Sequence, residues 1–168
     1  MKDYNGPRES AGIVDHALQL LEAAGVPIVI PQLTSQKSLE NTCGDGSPNN
    51  EGSDNKICVL LFLPHIYDSS AKYRQNYLDT ASNLAKKFRG TPFTFLWVEG
   101  GAQENLENKL NINNIYPSLA VISMDKKVYA VQKLSWSEKN SNAFLNGVIA
   151  GRYIKLIYRS IVLLNKMT

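Results

Sequence analysis

Seven consecutive apolar residues, Ile57-Cys58-Val59-Leu60-Leu61-Phe62-Leu63, stop at Pro64 and give way to polar turn formers and a long helical pattern. A strand with one wet face alternates apolar and polar residues, whereas an unbroken apolar run must be covered on both faces. Such a run is how a buried parallel strand, flanked by helices, delivers its carboxyl end to a site. The run therefore points to an α/β chain with its informative junction at Pro64-His65-Ile66-Tyr67-Asp68-Ser69.

The elements around this strand follow the same logic. Ile13, Val14, Ala17, Leu18, Leu21 and Ala24 recur at helical spacing from Glu9, with Gly25 and Pro27 as stop signals. Ile28-Val29-Ile30 is a short β-branched run, and Thr34 or Ser35 can cap a brief helix reaching about Asn41. Residues 43–55 are rich in Gly, Asn, Asp, Ser and Pro and read as an exposed mobile loop inside one domain. Past the junction, Asp68 or Ser69 can cap a long helix whose stripe is Tyr77, Leu78, Ala81, Leu84, Ala85 and Phe88, ended by Gly90 and Pro92. Phe93 to Val98 is a second buried strand, followed by Gly100-Gly101 and a short helix carrying Ala102, Leu106 and Leu110. Ser118–Ser123 and Lys127–Gln132 are separated by three residues, short enough for an antiparallel hairpin. Ser135 and Glu138 have the spacing of a capping box before a helix with Phe144, Leu145, Val148 and Ile149 inward. From residue 28 the predicted order is β-α-β-α-β-α-β-β-α.

Charge excludes one class of partner. Arg152, Lys155, Arg159 and Lys166 carry the positive balance of the carboxyl-terminal stretch, leaving residues 1–150 with 14 basic and 15 acidic side chains. A body this close to neutral has no nucleic-acid footprint. The two cysteines, Cys43 and Cys58, are 15 apart with no Cys-X-X-Cys and no nearby His, so no metal set is visible. They fit two reduced thiols in the cytosol or one disulfide in an oxidising compartment. The amino terminus lacks a signal-peptide apolar core, and no apolar run reaches the length of a membrane span.

The strings Leu63-Pro64-His65-Ile66-Tyr67-Asp68, Phe95-Leu96-Trp97-Val98-Glu99-Gly100-Gly101-Ala102-Gln103, Tyr116-Pro117-Ser118-Leu119-Ala120 and Ser135-Trp136-Ser137-Glu138 resemble the protein disulfide isomerase family. Within it they resemble the C-terminal, non-catalytic thioredoxin-like (b-type) domain of the A6 type, over roughly residues 4–152. The resemblance implies a thioredoxin-like α/β fold: a central mixed sheet with helices on both faces and no Cys-X-X-Cys. Tyr4-Asn5-Gly6-Pro7-Arg8 and the following helix look like the end of a preceding catalytic thioredoxin domain. The implied organisation is residues 1–25 as that helix and linker, 26–151 as the non-catalytic domain, and 152–168 as a basic apolar tail.

In thioredoxin-like oxidoreductases the junction after the central strand reads Pro, aromatic, then Cys-X-X-Cys at the helix start, where the helix dipole lowers the first thiol's pKa. On that pattern Ile66 and Ser69 fall where the two cysteines would be. The resemblance further implies a cis Tyr116-Pro117 bond beside the junction. His65, Ile66, Tyr67, Tyr116 and Pro117 would then share a thiol-free apolar and aromatic surface suited to an extended peptide. The same side chains would equally serve to close the end of a core. His65 has no carboxylate or nucleophile fixed beside it by sequence, and Glu99 reads as a hydrogen-bond acceptor rather than a base, so no residue is expected to be catalytic.

Residence in the endoplasmic reticulum lumen also follows from the resemblance, and with it a structural Cys43–Cys58 disulfide. The implied role is assistance to oxidative folding, by binding client polypeptides or scaffolding neighbouring catalytic domains of the same chain, with no cofactor. Two alternatives stay open. One is a self-standing thiol enzyme using Cys58, which burial in an apolar strand disfavours by raising its pKa and blocking access. The other is a dimerisation module driven by residues 152–168, a stretch that can also lie on a membrane surface or pack on its own domain.

Overall fold

The computed structural model describes residues 10–25, 28–44, 56–153 and 155–156. Its elements are α1 (Ser10–Ala23), α2 (Gln36–Cys43), β1 (Ile57–Leu63), α3 (Ala71–Lys87), β2 (Phe93–Glu99), α4 (Glu104–Leu110), β3 (Ser118–Ser123), β4 (Val128–Val131), α5 (Glu138–Ile149) and β5 (Lys155–Leu156). The strands form one mixed sheet in the order β2-β1-β3-β4-β5. β1 lies parallel to β2, Ile57 opposite Phe93 and Leu63 opposite Glu99. It lies antiparallel to β3, Phe62 opposite Ser118, and β4 returns along β3 as the second arm of a hairpin.

Six of the seven β1 residues are buried, as a strand covered on both faces requires. Alternation along the sheet divides the core in two. Cys58, Leu60, Phe62, Leu96, Val98, Ala120 and Ile122 face Leu39 and Cys43 of α2 and Leu106 and Leu110 of α4. Val59, Leu61, Leu63, Phe95, Leu119 and Val121 face Ala81 and Leu84 of α3 and Phe144, Leu145 and Val148 of α5. At about 1.5–3 kcal/mol for each large apolar side chain removed from water, β1 is the thermodynamic centre of the fold.

Several local expectations are corrected. The 28–30 run forms no strand; the chain meets the sheet two residues later, where Gln32 bridges Trp97 in parallel. Ser82 Oγ donates to the Ile28 carbonyl at 2.6 Å and holds that run toward α3 instead. Pro31, lacking an N–H, only accepts, taking the Trp97 N–H at 3.0 Å. The N-cap of α3 is Ser70, not Asp68 or Ser69, and that of α5 is Ser137, not Ser135. Glu138 therefore opens α5 and pairs with Lys87 rather than reaching back to a cap. Ala102 precedes α4, and Ile149 is exposed. α1 forms, but Ile13, Val14 and Leu20 are exposed along it. Cys43 closes α2 and Gly44 is its cap, so of the 43–55 loop only these two residues are described. Lys155 and Leu156, within the stretch read as a tail, pair with Tyr129 and Val128.

Candidate functional site at the carboxyl ends of β1 and β2

The fold brings the 64–69 junction, the Glu99-Gly100-Gly101 turn and the Ile115-Tyr116-Pro117 loop to one pole of the sheet. Register does this: β1 and β2 end side by side, and β3 begins at Ser118 against Phe62. The Gly100 N–H donates to the Leu63 carbonyl at 2.7 Å and locks the two strand ends together. Tyr116 lies against that turn. A Cβ on Gly100 would come within 2.7–2.9 Å of the Tyr116 ring and the Leu63 oxygen, so only glycine admits the ring here. The Tyr116–Pro117 peptide is cis.

Glu99 organises the junction side. Its Oε1 accepts the Ile66 N–H at 3.3 Å and lies 3.3 Å from His65 Nε2 and 3.5 Å from Arg74 Nη2. Arg74 comes from the first turn of α3 and also donates to the Pro64 carbonyl at 3.0 Å, with its guanidinium 5.2 Å from the centre of the Trp97 ring. The Tyr67 N–H donates to His65 Nδ1 at 3.3 Å, which places the ring proton on Nε2, facing Glu99. His65 and Tyr67 rings stand 5.0 Å apart. These contacts tie down a turn; they set no nucleophile beside a base.

On the loop side the organiser is Glu107 of α4, a carboxylate only 4% exposed. One oxygen accepts the Gly101 N–H at 2.9 Å and the other accepts the Tyr116 hydroxyl. Burial, and then the hydrogen bond to Glu107, push the Tyr116 phenol up to about 12.

His65, Ile66, Tyr67, Tyr116 and Pro117 thus share one pole, His65 and Tyr67 in ring contact and Tyr116 joined to them through Gly100 and Leu63. Exposed Ile66, Tyr67, Tyr73, Ile115 and Leu134 all lie at this pole, by position at the ends of β1 and β4 and before β3. Ile66 stands five positions before Ala71, the first residue of α3, and so outside the first helical turn. Cys43 and Cys58 lie elsewhere: they are joined in a disulfide, with Cα atoms 5.7 Å apart, at the start of β1. Arg74 and Glu107 were not singled out from the sequence. Glu107 had a signal, since it falls three before Leu110 on the inward face of α4, where a charge needs a partner. Among the described residues no cluster of His, Cys, Asp and Glu suits a metal ion, and no helix is long and apolar enough to cross a membrane.

The chain is 34% identical to mouse protein disulfide-isomerase A6 over 151 residues, 89% of this chain and 32% of that protein. It is 33% identical to the Drosophila melanogaster A6 homolog over 153 residues, 90% of this chain and 33% of that one. This chain thus spans about a third of the length of these curated relatives. In fold it resembles the bb fragment of ERp72, with a TM-score of 0.53 at 15% identity over 92% of this chain and 65% of that one. The chain belongs to the family of PDIA6-like, C-terminal thioredoxin-like domains, whose model it matches over residues 21–153.

Proposed function

We propose that this chain is a redox-inactive module of a protein disulfide isomerase of the endoplasmic reticulum lumen, and that it holds extended, apolar client segments while chemistry proceeds on catalytic domains of the parent protein. The observation that carries the reading is the composition of the pole. At the positions aligned with the redox cysteines of thioredoxin-like oxidoreductases stand Ile66 and Ser69, and Ile66, Tyr67, Tyr73, Ile115 and Leu134 are exposed there among the polar side chains of Asp68, Ser70 and Lys72. Apolar anchors beside strand ends suit an extended peptide, whose main chain supplies affinity and whose alternate side chains fill pockets. Cys58 is fully buried and paired, which weighs against the alternative of a thiol enzyme using it as nucleophile.

Two measurements test this. Incubated with insulin and a dithiol reductant, the chain should give no reduction above the uncatalysed rate, and turnover would overturn the redox-inactive reading. Titrated with a cysteine-free extended peptide, the ¹⁵N-labelled chain should show amide shifts at 65–67 and 115–118. Shifts confined to other surfaces would remove the recognition reading.

A further inference from the structure

A buried carboxylate without a cationic partner needs a reason, because its desolvation is offset only by the hydrogen bonds it accepts. Among the described residues Glu107 is such a group: the bonds shown to its carboxylate come from the Gly101 N–H and the Tyr116 hydroxyl. Neither ties α4 to the core, since Leu106 and Leu110 already do that. Both lead to the pole. Gly101 belongs to the turn that closes β1 against β2, and Tyr116 opens the loop that forms one wall of the exposed apolar surface.

Tyr116 is held on three sides. Its ring covers Gly100 at a distance that excludes a side chain there, its hydroxyl donates to Glu107, and Asn114 Oδ1 lies 3.4 Å from the same oxygen. The following peptide is part of the same frame, because Ser118 Oγ donates back to the Ile115 carbonyl. Of these restraints, only the carboxylate of Glu107 reaches from α4 to both the 100–101 turn and the 115–117 loop.

We infer that Glu107 is a positioning residue for peptide recognition: from beneath the surface, and without touching the bound segment, it fixes Tyr116 against the Gly100-Gly101 turn and so sets the wall of the site. This rests on the recognition reading above. Glu107→Gln keeps the shape and an acceptor for the Gly101 N–H but opposes the Tyr116 hydroxyl with a weaker, neutral partner. Tyr116→Phe removes the same bond from its other end.

The test titrates the full chain with one probe, reduced and alkylated insulin B chain. Glu107→Gln should bind about three- to tenfold more weakly, in the range by which residues that touch no ligand alter coupling. In the Tyr116→Phe background the same change should have almost no further effect, because both act on the same bond. Equal affinity of the wild-type chain and Glu107→Gln, or fully additive losses, would overturn the inference. If the wild-type chain itself does not bind at 65–67 and 115–118, the recognition reading fails, and the positioning claim is then decided by the phenol. Tyr116 should ionise near pH 12 in the wild-type chain and nearer its ordinary value in Glu107→Gln. An unchanged phenol titration would show that Glu107 does not hold Tyr116.

Discussion

The two ends of β1 are opposites. At its start Cys58 is sealed in the core and covalently tied to the last residue of α2. At its finish Pro64 to Ser69 turn outward among half-paired polar groups, and Tyr67 stands 91% exposed. Five residue steps at about 3.3 Å separate Cys58 from Leu63 by roughly 16 Å. The same strand thus places its sulfur chemistry where it can only brace the fold and its accessible surface where there is no sulfur. Position along the strand, more than the presence of cysteine, separates the braced end from the open one.

The largest effect should come from the closed end. Replacing both Cys43 and Cys58 by Ala opens a loop with a sequence separation of 15, and in the chain-entropy model costs about 3 kcal/mol. For a domain of this size that lowers Tm by about 6–12 °C in a thermal melt. The amides of 65–67 should keep their chemical shifts in the same variant; if they move, the two ends are coupled and the comparison breaks.

Next comes the organiser of the open end. Glu99→Ala leaves Arg74, His65 and the Ile66 N–H without their acceptor and should cost about 2 kcal/mol in denaturant unfolding, as for hydrogen bonds to a charged group. Unlike the cysteine substitutions it should shift the 65–67 amides directly, and a silent spectrum there would show that Glu99 does not hold the turn.

Alkali probes the same pole. Because the Tyr116 phenol is raised to about 12 from an ordinary 10, the folded chain holds that proton more tightly than the unfolded one. The resulting stabilisation is complete below pH 10 and is lost as pH climbs toward 12. The wild-type chain should lose more stability over this interval than Tyr116→Phe; parallel curves for the two would contradict the assignment.

The smallest stability effect should accompany the largest functional one. Tyr67→Ala removes an exposed ring and should leave unfolding free energy within about 0.5 kcal/mol of the wild-type chain. Peptide binding at 65–67 should nonetheless weaken, and unchanged binding would take Tyr67 out of the recognition surface.

What was readable in the sequence follows the strength of the local signal. β1 and β3 coincide with their predicted spans because continuous apolar runs bounded by Pro or turn residues leave little choice of register. The caps of α3 and α5 were misplaced by one or two residues because Asp68, Ser69, Ser70, Ser135 and Ser137 are all competent N-caps. Tertiary placement of the chain selects the one whose backbone is extended as the helix begins, Ser70 and Ser137. The 28–30 run failed as a strand because α3 offered Ile28 a side-chain donor, a contact spanning 54 residues that no local pattern records. The site divides the same way. His65 to Tyr67 and Tyr116-Pro117 stand in recognisable strings, whereas Arg74 matters through Glu99, 25 residues away, and Glu107 through its burial.

Tyr153 lies on Gly147 so closely that a methyl group at 147 would collide with its ring, and it stacks 5.7 Å from Phe144. From there the chain runs into β5, which covers the outer edge of β4 at Val128 and Tyr129. Shortening the chain after Gly151 would therefore strip both a ring from α5 and a pairing partner from the sheet, baring unpaired main-chain groups that invite another molecule. A shortened chain that becomes dimeric would be reporting a wound at the sheet edge, for which Lys155 and Leu156 act as the dressing.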